Sequence, residues 1–362
     1  MPKIKHTPYG TYQLRSGRVI PRGIYKNSRL RKRFSPVPTP LVQVKKRVKK
    51  PVVPYAGSLG ICEIGQGNCN LIFKQDNTDP QCYYDVGYPL WFYDSSVPNQ
   101  MRLNGNNQYL GPITQNSTND LFAVISHWDA DHVDQGYFIP AMRNFNWIAP
   151  NQPLGFFNQW LSQQLNNNNN LQIVNVPFIN YPSFTVYQCN GAHLPAAAQM
   201  NNTGLAMAVR TRLPSAVNNA HYVLLTGDAS WSSVPMGAKI NLTGILAAHH
   251  GANTFQAAAN IPPQAFGYNN QGRIAYSSGI TSGGHYCYNH PNPHAVAAYR
   301  NDGWGGQGTG REQSTAQGPN IRQNVGGVPN VNNRGNIRMG ANTPLNPIHN
   351  NTAFAQYPNH LD

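Results

Sequence analysis

The sequence predicts an α/β protein built on a parallel or mixed sheet, and two observations predict it. First, three short apolar runs read as buried strands that end in metal-type side chains. Val124-Ile125 leads into His127, Asp129, Asp131 and His132, Tyr222-Val-Leu-Leu225 into Asp228, and Ile245-Leu-Ala-Ala248 into His249 and His250. Second, the segments from Gly60 to Gly87 read as strand, glycine turn, strand and a further strand. A parallel or mixed sheet gathers strand ends at one edge, which is where α/β proteins place their sites. A lone histidine after an apolar run is usually structural, and a lone Gly-Asp is usually a turn. Three such junctions in one chain are hard to assign to packing.

Taken in order, residues 1–54 form a basic arm. Residues 1–50 hold 15 of the 27 Lys and Arg and no acid, so the rest carries 12 basic against 13 acidic residues, a net of −1. The like-charged blocks Asn27–Phe34 and Lys45–Lys50 flank the prolines Pro36, Pro38 and Pro40. Such blocks repel themselves and bury no core, so the arm is expected to be disordered. Its charge suits phosphate contacts with nucleic acid, with Tyr9, Tyr12, Tyr25 and Phe34 available to stack on bases. A solubilising, nuclear or organelle-targeting tail is the plainer alternative.

Gly60–Phe73 is expected to form two strands around Gly65-Gln-Gly67, and Gln81–Gly87 a third ending in Asp85 and Gly87. Residues 95–118 are turn-rich and suit a surface loop. Beyond Gly136 the chain is low in charge, and the tract Asn166–Asn170 is placed in a loop. Ile173–Phe178 and Phe184–Gln188 resemble short strands, and Asn201-Asn-Thr-Gly a loop feeding the strand that ends at Val209. His290 precedes Ala295-Val-Ala-Ala-Tyr299, which reads as a helix. Residues 301–362 are rich in Asn, Gly and Gln without a helical or strand period, and are expected to be a disordered or loosely attached tail.

The totals narrow the class. Five cysteines without CxxC spacing (Cys62, Cys69, Cys82, Cys189, Cys287) argue against a zinc finger or a disulfide framework and suit buried thiols. No apolar run approaches the ~20 residues of a membrane span. A soluble cytoplasmic protein is therefore the default expectation, with the oligomeric state left open.

These motifs, in this order, resemble the metallo-β-lactamase superfamily, and more narrowly the hydrolase domain of ComEC-type competence proteins. The resemblance runs from about Gly60 to about Arg300 and rests on Gly65-Gln-Gly67, Asp85-Val-Gly87, Ser126-His-Trp-Asp-Ala-Asp-His132, Leu225-Thr-Gly-Asp228, His249-His-Gly251 and His290-Pro291. It implies a four-layer αββα sandwich over residues 55–300 with a two-metal site. By that resemblance His127 and Asp129 hold the first metal. Asp131, His132 and one of His249 or His250, with His249 preferred, hold the second, and Asp228 bridges both. Asn202 takes the place of the superfamily's third-motif histidine, with His193 as a substitute. Asn68 and Ala252 depart from the usual Asp and Ser.

The implied chemistry is hydrolysis in which two cations ~3.5–4 Å apart acidify a shared water. Asp131 and His290 are the candidate catalytic residues, His290 or the spare histidine of the pair donating a proton or binding a substrate oxygen. Zinc is favoured, although a carboxylate-rich ligand set lets Mn²⁺ compete. A phosphodiesterase or nuclease is the leading expectation. Hydrolysis of a small ester, lactam or thioester, or a non-catalytic binding protein that keeps the fold, are the alternatives.

Overall fold

The computed structural model describes residues 11–13, 19–21, 56, 58–61, 67–73, 80–87, 121–138, 140–192, 194, 196–212, 220–252, 260–267, 272–277, 290–305, 311–314, 337–340 and 359–361. Most of the basic arm, Gly65-Gln66, the 95–118 loop, His193, Cys62, Cys287 and most of residues 301–362 lie outside these. Within the arm, β1 (Thr11–Gln13) pairs antiparallel with β2 (Val19–Pro21) as a separate ribbon.

The first sheet begins with β3 (Ser58–Ile61), β4 (Cys69–Phe73), β5 (Pro80–Val86), β6 (Phe122–Val124), β7 (Asn146–Pro150) and β8 (Leu171–Val174). The second contains β9 (Phe178–Asn180), β10 (Phe184–Gln188), β11 (Leu205–Arg212), β12 (His221–Leu225), β13 (Leu242–Leu246), β14 (Arg273–Tyr276) and β15 (Glu312–Ser314). The chain then returns to the first sheet as β16 (Ile337–Gly340) and β17 (Asn359–Leu361). The helices are α1 (Ala130–Val133), α2 (Gln135–Phe138), α3 (Phe156–Asn167), α4 (Ala196–Asn202) and α5 (Pro293–Asn301).

Strand order is β17-β16-β3-β4-β5-β6-β7-β8 in one sheet and β15-β14-β13-β12-β11-β10-β9 in the other. Each sheet has an antiparallel part and a run of parallel strands, β5 to β8 in the first and β12 to β15 in the second, and the edge pair β16-β17 of the first is also parallel. The central parallel strands β6 and β13 are buried along their whole length and are therefore largely apolar rather than alternating. In β6, Phe122 and Val124 point between the sheets while Ala123 points outward. In β12, Val223 and Leu225 point inward and Leu224 outward.

Three apolar cores separate four layers. Leu59, Ile72, Tyr84 and Val124 of the first sheet meet Val186, Met207, Val223 and Leu246 of the second. Outside the first sheet, Tyr83, Ala123 and Trp147 pack with Val133, Leu161 and Leu165 of the helical layer. Outside the second, Ala206, Leu224 and Ile274 pack with Val296 and Tyr299 of α5. The order is helix, sheet, sheet, helix, the αββα sandwich expected. Cys69, Cys82 and Cys189 are buried free thiols, as their spacing suggested.

Some local expectations differ from the structure. The Asn tract is not all loop: α3 runs to Asn167, held by Leu161 and Leu165 one turn apart on the buried face. It stops where Asn169 takes φ of 52°, a left-handed conformation that Asn tolerates at helix ends. Asn201 and Asn202 close α4 rather than open a strand loop. Residues 301–362 lack a strand period, yet β15, β16 and β17 pair with the sheets at or beside their edges. Edge pairing needs only backbone donors and acceptors, so side-chain pattern does not disclose it.

Candidate metal centre

Strand direction assembles the site. Parallel pairing puts the C-terminal ends of β5 and β6 side by side, and likewise those of β12 and β13. Asp85, the 127–132 loop, Asp228 and the His249-His250 pair therefore share one edge of the sandwich. The loop after β6 turns directly into α1. Asp129 is the residue that caps α1, but its carboxylate makes no capping bond and lies 3.5 Å from His127 Nε2.

Asp228 sits at the centre. Its Oδ1 lies 3.3 Å from His132 Nε2 and 3.4 Å from His250 Nε2. Its Oδ2 lies 3.5 Å from His249 Nε2 and 3.9 Å from His127 Nε2. Asp131 Oδ2 lies 3.9 Å from His132 Nε2 and 4.0 Å from His250 Nε2. Two groups have all their ligand atoms within 4.8 Å of one another: His127, His132 and Asp228; and Asp131, His132 and His250. The histidine grouped with Asp131 is thus His250. The preferred His249 lies instead beside Asp228, with its Nδ1 3.5 Å from Asn201 Nδ2.

A cation fits this arrangement. His127 Nε2, His132 Nε2, His250 Nε2 and Asp228 Oδ1 are buried atoms that make no hydrogen bond, and they belong to the two ligand clusters that share His132. Buried polar atoms are normally satisfied, so several gathered in such clusters suit an ion. Electrostatics points the same way. Burial alone would raise the Asp228 carboxyl, but His249, His132 and His250 outweigh it and hold it well below the usual range. Burial likewise opposes ionisation of Asp129, yet the adjacent His127 imidazole keeps its pKa low. Burial would lower the His132 pKa, but Asp228, Asp85 and Asp131 raise it well above that of a free imidazole.

The ring nitrogens opposite the ligand atoms are anchored. His132 Nδ1 is 2.8 Å from Asp85 Oδ2, and Asp85 also accepts from Ser126 N at 2.6 Å and Ser126 Oγ at 2.9 Å. His250 Nδ1 is 2.6 Å from the Ser277 carbonyl, and Ser277 Oγ donates to Gly67 O at 3.0 Å. Each bond leaves Nε2 aimed into the site. Asp85, His249 and His250 take φ of 58°, 48° and 57°. Left-handed backbone in non-glycine residues costs about 1–3 kcal/mol each and gathers at functional sites.

Neither Asp85 nor Ser277 is among the ligands expected from the sequence. The signal for Asp85 was its place at a strand end ahead of Gly87. The glycine motifs hold the ligand loop. A Cβ on Gly87 would lie 1.6 Å from Asp131 O, and Asn68 N donates to that same carbonyl at 3.0 Å.

Asn202 turns its Oδ1 to the loop after Asp228. Its Oδ1 accepts from Ser230 N, Ser230 Oγ and Ser233 Oγ at 2.6–2.8 Å, pinning the loop after Asp228. His290 lies over His250, ring centroids 6.2 Å apart, and 5.9 Å from His249. Burial and those two imidazoles push its pKa down to about 3.

No protein-family model matches the chain, and no curated protein does. Among solved structures the chain is similar to the metallo-β-lactamase fold protein YhfI from Bacillus subtilis, at 13% identity over 52% of this chain and 71% of that one, with a TM-score of 0.31. It is also similar to an isothiocyanate hydrolase from Delia radicum gut bacteria, at 10% identity over 61% and 84%, with a TM-score of 0.31. A long-form RNase Z from yeast aligns at 13% identity over 53% of this chain and 32% of that one, with a TM-score of 0.29. The layer order and the site rest on the geometry of this chain alone.

Proposed function

We propose that this chain is a metal-dependent hydrolase of phosphodiesters, a nuclease of the metallo-β-lactamase superfamily whose motifs most resemble the competence-type hydrolases. The carrying observation is the set of buried ligand atoms around Asp228 that lack hydrogen bonds. His127, Asp129 and Asp228 would hold one cation; Asp131, His132, His250 and Asp228 would hold the other. When bound, such cations supply Lewis acidity and lower the pKa of water. Carboxylates are prominent in this set, so Mn²⁺ competes with the favoured Zn²⁺.

The chain's own residues supply the rest. Asp85 and Ser277 orient His132 and His250. His290, whose ring lies over His250, offers a hydrogen bond or a proton to a substrate oxygen. The 15 cations of residues 1–50 supply the affinity for phosphate backbones.

The test is metal analysis of the purified chain with nuclease assays on single- and double-stranded DNA and RNA. The expected result is bound metal and cleavage that Asp131→Ala abolishes. Turnover of an ester, lactam or thioester with none of nucleic acid would replace this reading. Deleting residues 1–54 should weaken nucleic-acid binding and flatten its salt dependence.

A further inference from the structure

We propose that a groove beside the metal centre takes the bases of a single nucleic-acid strand, an inference that rests on the phosphodiesterase reading. The groove has a volume of about 1240 Å³ and opens on the ligand-bearing edge of the sandwich. Strand direction places it there. β8 runs parallel to β7 and β6, so Val174 and the residues after it emerge where His127 does. β10 and β12 both run antiparallel to β11, so Gln188 to Asn190 emerge where Asp228 does. β9 begins at that edge with Phe178. The far wall is the loop after Asp228. Its Ser233 bonds to Asn202, whose neighbour Asn201 lies against His249.

None of the described residues lining the groove is charged. A charged occupant would find no counter-ion in it. The lining instead combines aromatic faces with carboxamides. Phe178 is 51% exposed, and its ring leans on Tyr187 at 6.1 Å between centroids. The Tyr187 hydroxyl donates to Gly237 O at 3.1 Å, which holds that ring in place. Asn151, Asn175 and Asn190 are exposed along the walls.

Aromatic faces stack on bases, and carboxamides match their donor and acceptor edges. The bases are the uncharged side of a strand, and its phosphates are left to the metal centre and the basic arm. The two contributions separate physically. Arm binding falls with salt through counterion release, whereas groove binding adds nothing to the salt slope.

The test is fluorescence anisotropy of the full-length chain with two labelled DNA strands of about 12 nucleotides, one carrying bases and one abasic throughout, since stacking requires a base face. The wild-type chain should prefer the base-bearing strand. Phe178→Ala should weaken binding of that strand by about 5- to 150-fold, the equivalent of ~1–3 kcal/mol per stacked base, and erase the preference. Phe178→Tyr should restore it, and the salt slope should match wild type. Thermal melting checks that the variants fold.

Equal wild-type affinity for both strands overturns the proposal, as does an unchanged preference in Phe178→Ala or an altered salt slope. If the metal-loaded wild type cleaves no nucleic acid, the phosphodiesterase reading fails, while the binding comparison still decides the groove.

Discussion

Asp85 shows how a single carboxylate sets the state of a ligand it does not replace. Its bond to His132 Nδ1 fixes which nitrogen faces the site. Asn at this position keeps the shape and tolerates the positive φ, but loses the charge. Asp85→Asn should therefore weaken metal binding by about 10- to 100-fold, seen by isothermal titration, with less effect on the melting temperature of the chelated protein. His250→Asn also suits its backbone and should remove one equivalent of bound metal. His249→Asn should leave the stoichiometry closer to wild type, because only His250 groups with Asp131 and His132.

Protonation adds a sign that can be checked on the metal-free chain. His132 has a raised pKa, so its contribution to stability is full below the ordinary imidazole value and is lost as pH rises through the raised one. Asp228 has a depressed pKa, so its contribution is present above the ordinary carboxyl value and is lost as pH falls through the depressed one. Metal must displace the His132 proton. The rise in melting temperature on adding Zn²⁺ should therefore grow with pH above about 6.5, measured by scanning calorimetry.

At the scale of elements, the ligand loop is held by neighbours that carry no ligand. The end of β5 approaches α1 so closely that Gly87 alone fits against Asp131 O. Gln135 Nε2 donates to Gly87 O at 2.7 Å, closing the contact from the other side. Gly87→Ala should lower stability by about 2–4 kcal/mol in urea unfolding of the chelated protein and abolish metal binding. Helix α3 supports the same loop: the Asn158 carboxamide donates to Trp128 O. Its first turn thus ties the outer layer to the site, while Leu161 and Leu165 anchor it to the first sheet.

At the scale of the molecule, metal and fold are linked, because the ligands come from both sheets. A cation at about 100 times its dissociation constant adds ~2.7 kcal/mol to the stability of the folded state. Chelation should lower the melting temperature of the wild-type chain by a few degrees and that of Asp131→Ala, which keeps the ligands of the other cation, by less, as read by calorimetry with and without chelator.

Much of this arrangement was legible in the sequence. Apolar strands ending in Asp and His, and the turn at Asp85-Val-Gly87, are local patterns, and a parallel sheet has one place to put them. The choice of His250 over His249 was not legible. Adjacent residues at the end of one strand are equivalent in sequence, and only two successive left-handed conformations and the Ser277 carbonyl aim one ring at Asp131. The role of Asn202 was hidden for a similar reason, since its partners Ser230 and Ser233 lie 28 and 31 residues away. The sequence by itself determined the α/β class and the supply of ligands, through hydrophobic pattern and residue chemistry, and the four-layer order through the resemblance its motifs carry. Which side chain meets which, and the uncharged groove beside them, were decided only by tertiary packing, because those contacts join segments distant in the chain.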